Sequence, residues 1–277
     1  MALRFALNRM AAPHIPFGAF CAMAQRLGAS AIEIRNDLAG VELEDGTPGR
    51  VVGAIARDHG LVVRSINALQ RFEQFDAVRD AQAQALLDYA ADCGAQALVL
   101  CPTNSLRDAR HAAQRHDDLV HALVALAPKL KDRGLLGLVE PLGFGECAVR
   151  CKSQAVRALR LLGDGAPLAL VHDTFHHHLA GEDAIFPELT GLVHVSGVDD
   201  ARLDVTQLRD GHRVLVGASD RLGNVRQLHR LLAGGYGGYV SFEPFADAIA
   251  RADDIEERLA DSMQYLQRAL NAPDIIH

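Results

Sequence analysis

Four short apolar runs in this chain of 277 residues each end in a side chain that can bind a metal ion. The four end residues are Glu140, Asp173, His194 and Glu243. A buried carboxylate is costly unless an opposite charge pairs with it. One such group alone is better explained as a helix cap or an ion pair, but four at matching positions predict one shared cation. Three carboxylates and an imidazole suit a divalent ion that takes part in chemistry, whereas structural zinc sites usually include cysteine.

The residues next to these groups indicate where they lie. Glu140 and Glu243 are each followed by proline. A residue before proline favours an extended backbone, and proline ends a central strand, so both carboxylates are predicted at the ends of their strands. His176 follows Asp173 by three residues. We expect His176 on the same side of a starting helical turn, where it would hydrogen-bond a substrate or orient the carboxylate.

A recurring motif, in which glycine precedes an apolar run, predicts the secondary structure elements that position these groups. The glycines are at 28, 60, 94, 134, 165, 191 and 238. Each motif is typical of a helix end followed by a buried strand. With the opening strand at 4–9 there are eight predicted strands. Amphipathic stretches between them predict helices, for example at 77–93, 116–133, 153–162, 225–233 and 254–270.

This alternation predicts an α/β fold, a single (β/α)8 TIM barrel over residues 1–277. A doubly wound sheet would more often carry a glycine-rich phosphate loop after its first strand, and none follows Arg9. The longest interval, 198–237, is polar at its start and predicts an extended loop over the barrel mouth. In such a barrel the four candidate ligands fall at the C-terminal ends of strands five to eight and converge.

Composition narrows the classes of function. The formal net charge is −7, which argues against nucleic acid as the main partner. The first nine residues hold too short an apolar stretch for a signal or a membrane span, so we expect a cytoplasmic protein without a membrane partner. Five cysteines without a Cys-x-x-Cys pair make a disulfide framework improbable. The sequence leaves self-association into a homo-oligomer open.

Three further polar residues are expected at the mouth. Glu33 and Arg35 alternate in the second strand, and Asn67 ends the third. Alternate residues on a barrel strand face inward together. We expect these side chains to hydrogen-bond substrate hydroxyls, although a structural Glu-Arg network explains the pattern equally well.

Six short sequence motifs resemble those of a known family. They lie at 31–35, 65–69, 138–141, 173–176, 193–195 and 242–245. Together they look like the xylose isomerase-like TIM barrels of the sugar isomerase and epimerase superfamily. Within it the chain resembles the inosose (2-keto-myo-inositol) isomerases, from the first strand to the last helix.

The resemblance implies one divalent metal ion (Mn, Mg, Co or Zn) held by the four strand-end groups Glu140, Asp173, His194 and Glu243. It also implies that Glu140 and Glu243 form an acid/base pair, that His176 binds substrate, and that Arg213 contacts substrate hydroxyls. The run after Arg213, at 214–221, lacks the proline and second glycine of the family's usual turn. This departure predicts an altered seventh loop, which bears on the choice of substrate.

The expected reaction is isomerisation of a keto-inositol through an enediolate, with a small polyol or ketose as the partner. A divalent ion would polarise the ketone, and the glutamates would move a proton between neighbouring carbons. Close variants are a ketose 3-epimerase and a hydroxypyruvate isomerase. A lyase that dehydrates a keto-inositol or a dehydroshikimate-type acid needs the same groups. An endonuclease IV-type nuclease and a non-catalytic sugar-binding protein are more distant possibilities.

Overall fold

Eight parallel strands close into a barrel in the order of the chain, and β1 pairs with β8. The structure is a computed structural model that describes residues 3–272. The strands are β1 (Arg4–Asn8), β2 (Ala31–Arg35), β3 (Val62–Gln70), β4 (Ala97–Cys101), β5 (Leu136–Val139), β6 (Leu168–Asp173), β7 (Thr190–Val195) and β8 (Tyr239–Phe242). The prediction of a (β/α)8 TIM barrel is confirmed.

Helices follow the strands and cover the outside of the barrel. They are α1 (Phe17–Arg26), α2 (Gly49–Asp58), α3 (Ala77–Cys93), α4 (Ala112–Asp132), α5 (Lys152–Leu162), α6 (Thr174–Ala180), α7 (Asn224–Ala233), α8 (Asp247–Ala250) and α9 (Ile255–Asn271). The five predicted helices are α3, α4, α5, α7 and α9. Among residues 3–272, none of the helices combines the length and the apolar character that crossing a membrane requires.

Helix α3 shows how local sequence sets these boundaries. The Asp76 side chain accepts a hydrogen bond from the Arg79 amide, which satisfies one of the free N–H groups of the first turn. At the other end Gly94 adopts φ 73°, a left-handed conformation that glycine takes without the steric cost of a Cβ atom. Between these ends the helix buries Leu86, Leu87 and Ala90 against the barrel.

The inside of the barrel changes character along its axis. Small and apolar side chains form one cluster, which includes Ala6, Ala31, Ala97, Leu138 and Leu192. Toward the C-terminal ends of the strands, inward-facing positions are polar and buried. A packed apolar base therefore supports a polar mouth, as expected for a TIM barrel with its site at the C-terminal face.

The long interval after β7 is an irregular segment up to α7, as the sequence predicts. It contains two single-turn helices, Val205–Gln207 and Asp210–His212. Gly197 and Val214 pair as an isolated antiparallel bridge, with N to O distances of 2.7 and 2.8 Å. A Cβ atom at Gly197 would lie 2.8 Å from the Leu215 carbonyl oxygen, so this close approach depends on glycine. The bridge anchors the segment that carries Arg213.

Candidate active site

The four strand-end groups lie together at the mouth of the barrel. One ligand atom from each of Glu140, Asp173, His194 and Glu243 lies within 4.8 Å of the other three, and all four residues are buried. The strand register brings them there, because Asp173 pairs with His194 across β6 and β7. Glu140 and Glu243 are the first residues after β5 and β8. We call these residues the four-residue cluster.

The imidazole of His194 faces the carboxylates through its Nδ1 atom. Nδ1 lies 2.9 Å from Glu140 Oε1 and 3.1 Å from Glu243 Oε2. The other ring nitrogen, Nε2, lies 3.1 Å from Glu33 Oε2 on the opposite side. Burial lowers the pKa of His194, but the carboxylates, first Glu243 and then Glu33, more than offset this effect and hold the pKa well above its usual value.

The buried charges of the site fit a divalent cation. The three carboxylates of the four-residue cluster, together with Glu33, face two guanidinium groups, those of Arg35 and Arg213. With His194 neutral, the negative charges exceed the positive ones by two, and uncompensated buried charge is strongly unfavourable. One divalent ion would neutralise this excess. Three oxygens and one nitrogen are a donor set that such an ion accepts, so the cluster could bind a metal ion.

Arg213 lies in direct contact with two carboxylates of the cluster. Its side chain is 1% exposed, and Nη2 donates to Asp173 Oδ2 at 2.6 Å and to Glu243 Oε2 at 3.1 Å. Nε donates to Ser196 Oγ at 2.9 Å, and Nη1 donates to Asp210 at 3.2 Å. The anchored loop after β7 thus places the positive charge of Arg213 beside the four-residue cluster. Any contact of Arg213 with a substrate hydroxyl remains a prediction.

Arg35 approaches the same glutamate from β2. Its Nη1 donates to Glu243 Oε1 at 2.7 Å, and Nε and Nη2 form a bidentate pair with Asp37. Burial alone would raise the pKa of Glu243. The positive charges of His194, Arg213 and Arg35 outweigh this effect, so the pKa of Glu243 lies well below its usual range. Glu243 is therefore an ionised carboxylate at neutral pH.

A cavity of about 160 Å³ opens above the cluster. Glu140 and Glu243 line it, and the expected substrate-binding residues that also line it are Arg35, Asn67, His176 and Arg213. Two aromatic residues of the cavity wall, Phe144 and Phe245, were not predicted from the sequence. The Phe245 ring lies between two guanidinium groups, 5.2 Å from that of Arg35 and 4.5 Å from that of Arg213. Its position directly after Glu-Pro was the available signal.

One ring nitrogen of His176 has no hydrogen-bond partner in the part of the chain that the structure describes. The Asp173 side chain accepts a hydrogen bond from the His176 amide at 2.9 Å, which caps α6. The ring contacts Phe144 and Phe175 at centroid distances of 5.5 and 5.3 Å. Its Nδ1 atom is buried and has no hydrogen-bond partner among residues 3–272. An unpaired buried polar atom is unusual, and the binding of substrate by His176 remains a prediction.

The structure places Glu33 deeper in the barrel than Arg35 and Asn67. The sequence places it at the mouth with Arg35 and Asn67, but its side chain is fully buried and does not line the cavity. Glu33 is two residues before the end of β2, so its side chain lies one layer below that of Arg35. Asn67 lines the cavity but turns its amide downward and donates to Glu33 Oε2 at 2.9 Å.

The partners of Glu33 were also missed. Asn8 in β1, Ser65 in β3 and Ser241 in β8 all donate hydrogen bonds to its carboxylate. Each is a polar residue within an otherwise apolar strand, and alternate positions on a barrel strand share the inward face. The spacing of Ser65 and Asn67, two apart, was therefore a usable signal.

A buried lysine lies behind the site at the start of α5. Lys152 is 3% exposed, and its Nζ atom is at hydrogen-bonding distance from His177 Nδ1. Glu182 Oε2 is 3.9 Å away. Burial lowers the pKa of Lys152 to about 8, with Glu182 opposing this effect. Burial, followed by the charge of Lys152, lowers the pKa of His177 to about 3, so His177 is neutral and can accept from the lysine.

This lysine predicts a pH-dependent stability. An unfolded lysine has a pKa of about 10.4, so between pH 8 and 10 the unfolded state binds more protons than the native state and stability rises with pH. Relative to Lys152→Met, the wild-type free energy of unfolding should increase by on the order of 2 kcal/mol from pH 7 to pH 10. Urea unfolding of both proteins with chelator present measures this. Cysteine thiols are present in both proteins, so their contribution cancels in the comparison. Parallel pH profiles of the two proteins would refute the prediction.

Comparisons with known proteins agree with this architecture. A model of the xylose isomerase-like TIM barrel family matches residues 21–269. A solved xylose isomerase domain containing protein from Salmonella typhimurium LT2 is 33% identical, with 95% of this chain and 97% of that chain covered and a TM-score of 0.88. No curated protein sequence matches the chain.

Two more distant structures share the fold. The IOLI protein, solved with a bound zinc atom, is 18% identical, with 97% of this chain and 98% of that chain covered and a TM-score of 0.83. D-psicose 3-epimerase from Clostridium cellulolyticum H10 is 14% identical, with 98% of this chain and 100% of that chain covered and a TM-score of 0.75. Together with the family match over most of its length, these findings show that the chain belongs to the xylose isomerase-like TIM barrel family.

Proposed function

We propose that this protein is a metal-dependent isomerase of keto-polyols, with an inosose (2-keto-myo-inositol) as the favoured substrate, and that residues 1–277 form one catalytic domain. The observation that carries the proposal is the convergence of Glu140, Asp173, His194 and Glu243 on one point below a cavity. The fold neighbours support the reaction class, since two of them are a D-psicose 3-epimerase and a 3-keto-D-glucoside 4-epimerase. The IOLI protein was solved with a bound zinc atom, which supports the binding of a metal ion by this chain.

The proposed chemistry moves one proton between neighbouring carbons. A divalent ion (manganese, magnesium, cobalt or zinc) would supply a Lewis acid that stabilises the negative charge developing on the ketone oxygen. Glu243 lines the cavity as an ionised carboxylate, so it can accept the proton from the α-carbon. Arg35 and Asn8 fix its Oε1 atom, at 2.7 and 3.1 Å. Glu243 then gives a proton to the former ketone carbon, while Glu140, which also lines the cavity, moves the proton of the neighbouring hydroxyl to the former ketone oxygen.

The cavity suits a single small polyol. Its volume of about 160 Å³ leaves little space for a second sugar ring. Polar groups line part of it, and His176 contributes to its wall. Phe144 and Phe245 provide apolar faces for the C–H surface of a ring. Arg213, beside the two carboxylates that it pairs with, would contact the oxygens nearest the reacting carbons.

A nuclease is disfavoured by the metal site itself. Within residues 3–272, the four-residue cluster is the one group of three or more histidine, cysteine or acidic residues close enough to hold a metal ion. Nucleases that use two or more metal ions need ligands for each of them. A ketose 3-epimerase, a hydroxypyruvate isomerase and a dehydrating lyase would each use the same four groups, so these three activities are separated by their products.

Product analysis in deuterated water tests the proposal. Protein loaded separately with Mn²⁺, Mg²⁺, Co²⁺ or Zn²⁺ is incubated with 2-keto-myo-inositol, a panel of ketohexoses, and hydroxypyruvate. The isomerase proposal expects an isomeric keto-inositol with solvent deuterium at carbon and no loss of water. A dehydrated product that absorbs ultraviolet light would establish the lyase instead. Turnover of a ketohexose alone would favour the epimerase, and no exchange with any compound would overturn the proposed function.

A further inference from the structure

Glu33 is the centre of a closed hydrogen-bond network beneath the metal cluster. Its side chain is fully buried, and donors from four other strands surround its two oxygens. Those donors are Asn8 Nδ2 (3.4 Å) and Ser241 Oγ on Oε1, and Ser65 Oγ (2.5 Å), Asn67 Nδ2 (2.9 Å) and His194 Nε2 (3.1 Å) on Oε2. Such saturation is what a buried carboxylate needs in order to remain charged.

This network determines which nitrogen of His194 carries a proton. An ionised carboxylate only accepts hydrogen bonds, so the nitrogen that faces Glu33 must be Nε2–H. The lone pair of the neutral ring is then on Nδ1. That atom faces Glu140 Oε1 at 2.9 Å and Glu243 Oε2 at 3.1 Å, in the centre of the four-residue cluster.

We propose that Glu33 is a positioning residue of the metal site, which fixes the Nε2–H tautomer and the orientation of His194 and so directs Nδ1 at the metal ion. The inference rests on the proposed function and replaces the expectation that Glu33 binds substrate. A carboxylate behind a metal-bound histidine also makes the imidazole a better electron donor, and loss of such a partner typically costs 10- to 100-fold in metal affinity.

Glu33→Gln is an informative change because an amide cannot fill the same place. Each oxygen of Glu33 meets one asparagine amide donor, Asn8 Nδ2 or Asn67 Nδ2, so the NH2 group of glutamine would face an amide N–H in either orientation. Glu33→Gln therefore loses the negative charge behind His194 and one amide hydrogen bond of the network. Ser65→Ala is the matched control, since it removes one neutral donor and leaves the carboxylate facing Nε2.

The test combines zinc affinity with the nitrogen NMR signature of the ring. Competition with a fluorescent chelator should show roughly 10- to 100-fold weaker zinc binding by Glu33→Gln, and a change within about fivefold for Ser65→Ala. In ¹⁵N-histidine spectra of the zinc-loaded wild type, the His194 signal, identified by its absence in His194→Gln, should show a protonated Nε2 and a metal-bound Nδ1. Circular dichroism checks the folding of each variant.

Two outcomes would overturn this assignment. One is a zinc-loaded wild type in which His194 is protonated at Nδ1 and binds metal through Nε2, a result that depends on no variant. The other is a folded Glu33→Gln protein that binds zinc as tightly as the wild type. Neither measurement uses turnover, so an inactive protein that binds zinc as expected would count against the proposed function and leave the role of Glu33 intact.

Discussion

Glu243→Gln is expected to lower kcat for keto-polyol isomerisation by roughly 10²- to 10⁴-fold, the usual contribution of a positioned acid/base group. The physical reason is that an amide cannot accept the proton that the ionised Glu243 would take from the α-carbon. The substitution also replaces one of the two oxygens that accept from Arg35 and Arg213, at 2.7 and 3.1 Å, with an NH2 donor. Steady-state kinetics at saturating metal measure the loss.

The second function of Glu243, as a proposed metal ligand, must be separated from its function as a base. Metal content of the variant is therefore measured alongside kcat, at metal concentrations that restore full occupancy. Glu188→Gln is the matched control, because Glu188 is exposed and precedes β7 at the opposite end of the barrel. The acid/base assignment is wrong if fully metal-loaded Glu243→Gln turns over at the wild-type rate.

Metal removal is expected to abolish turnover, with activity restored by adding back a divalent ion. Without the ion the four buried carboxylates exceed the two guanidinium groups by two, and protonation of His194 offsets only one of these charges. Binding should also raise the unfolding free energy, by about 2.7 kcal/mol at a free metal concentration of 100 times Kd. Activity assays and thermal denaturation, each with chelator and then with excess metal, measure both effects.

His194→Gln tests whether this stabilisation comes from the four-residue cluster. The variant should lose most of the metal-dependent increase in Tm at the concentration that saturates the wild type, because one of four ligands is gone. His229→Gln is the control, since His229 lies exposed on α7. An equal metal-dependent increase in all three proteins would show that the ion binds elsewhere.

One feature of the sequence, an apolar run that ends in a polar residue, predicts both the barrel and the four-residue cluster. Buried parallel strands are continuous apolar runs, so the first polar residue after each run marks the strand end. Glu140 and Glu243 are the first residues after β5 and β8, and Asp173 is the last residue of β6. The C-terminal ends of the strands of one barrel lie close together, so the four strand-end residues could be predicted to form one site.

The depth of Glu33 could not be predicted in this way. Its layer depends on the register of β2 against its neighbours, and the pairing of β2 with β3 shifts between Ile32 and Glu33. Register is a property of two strands, and the sequence of one strand does not contain it. The same holds for Arg213, whose contacts with Asp173 and Glu243 depend on a loop without periodic pattern.

Anomalous diffraction from crystals grown with Mn²⁺ tests most directly whether the four strand-end groups hold one divalent ion. We expect a single strong anomalous peak between the carboxylates of Glu140, Asp173 and Glu243 and the Nδ1 atom of His194. A fully occupied manganese ion at another place, with the cluster free of anomalous density, would contradict this prediction.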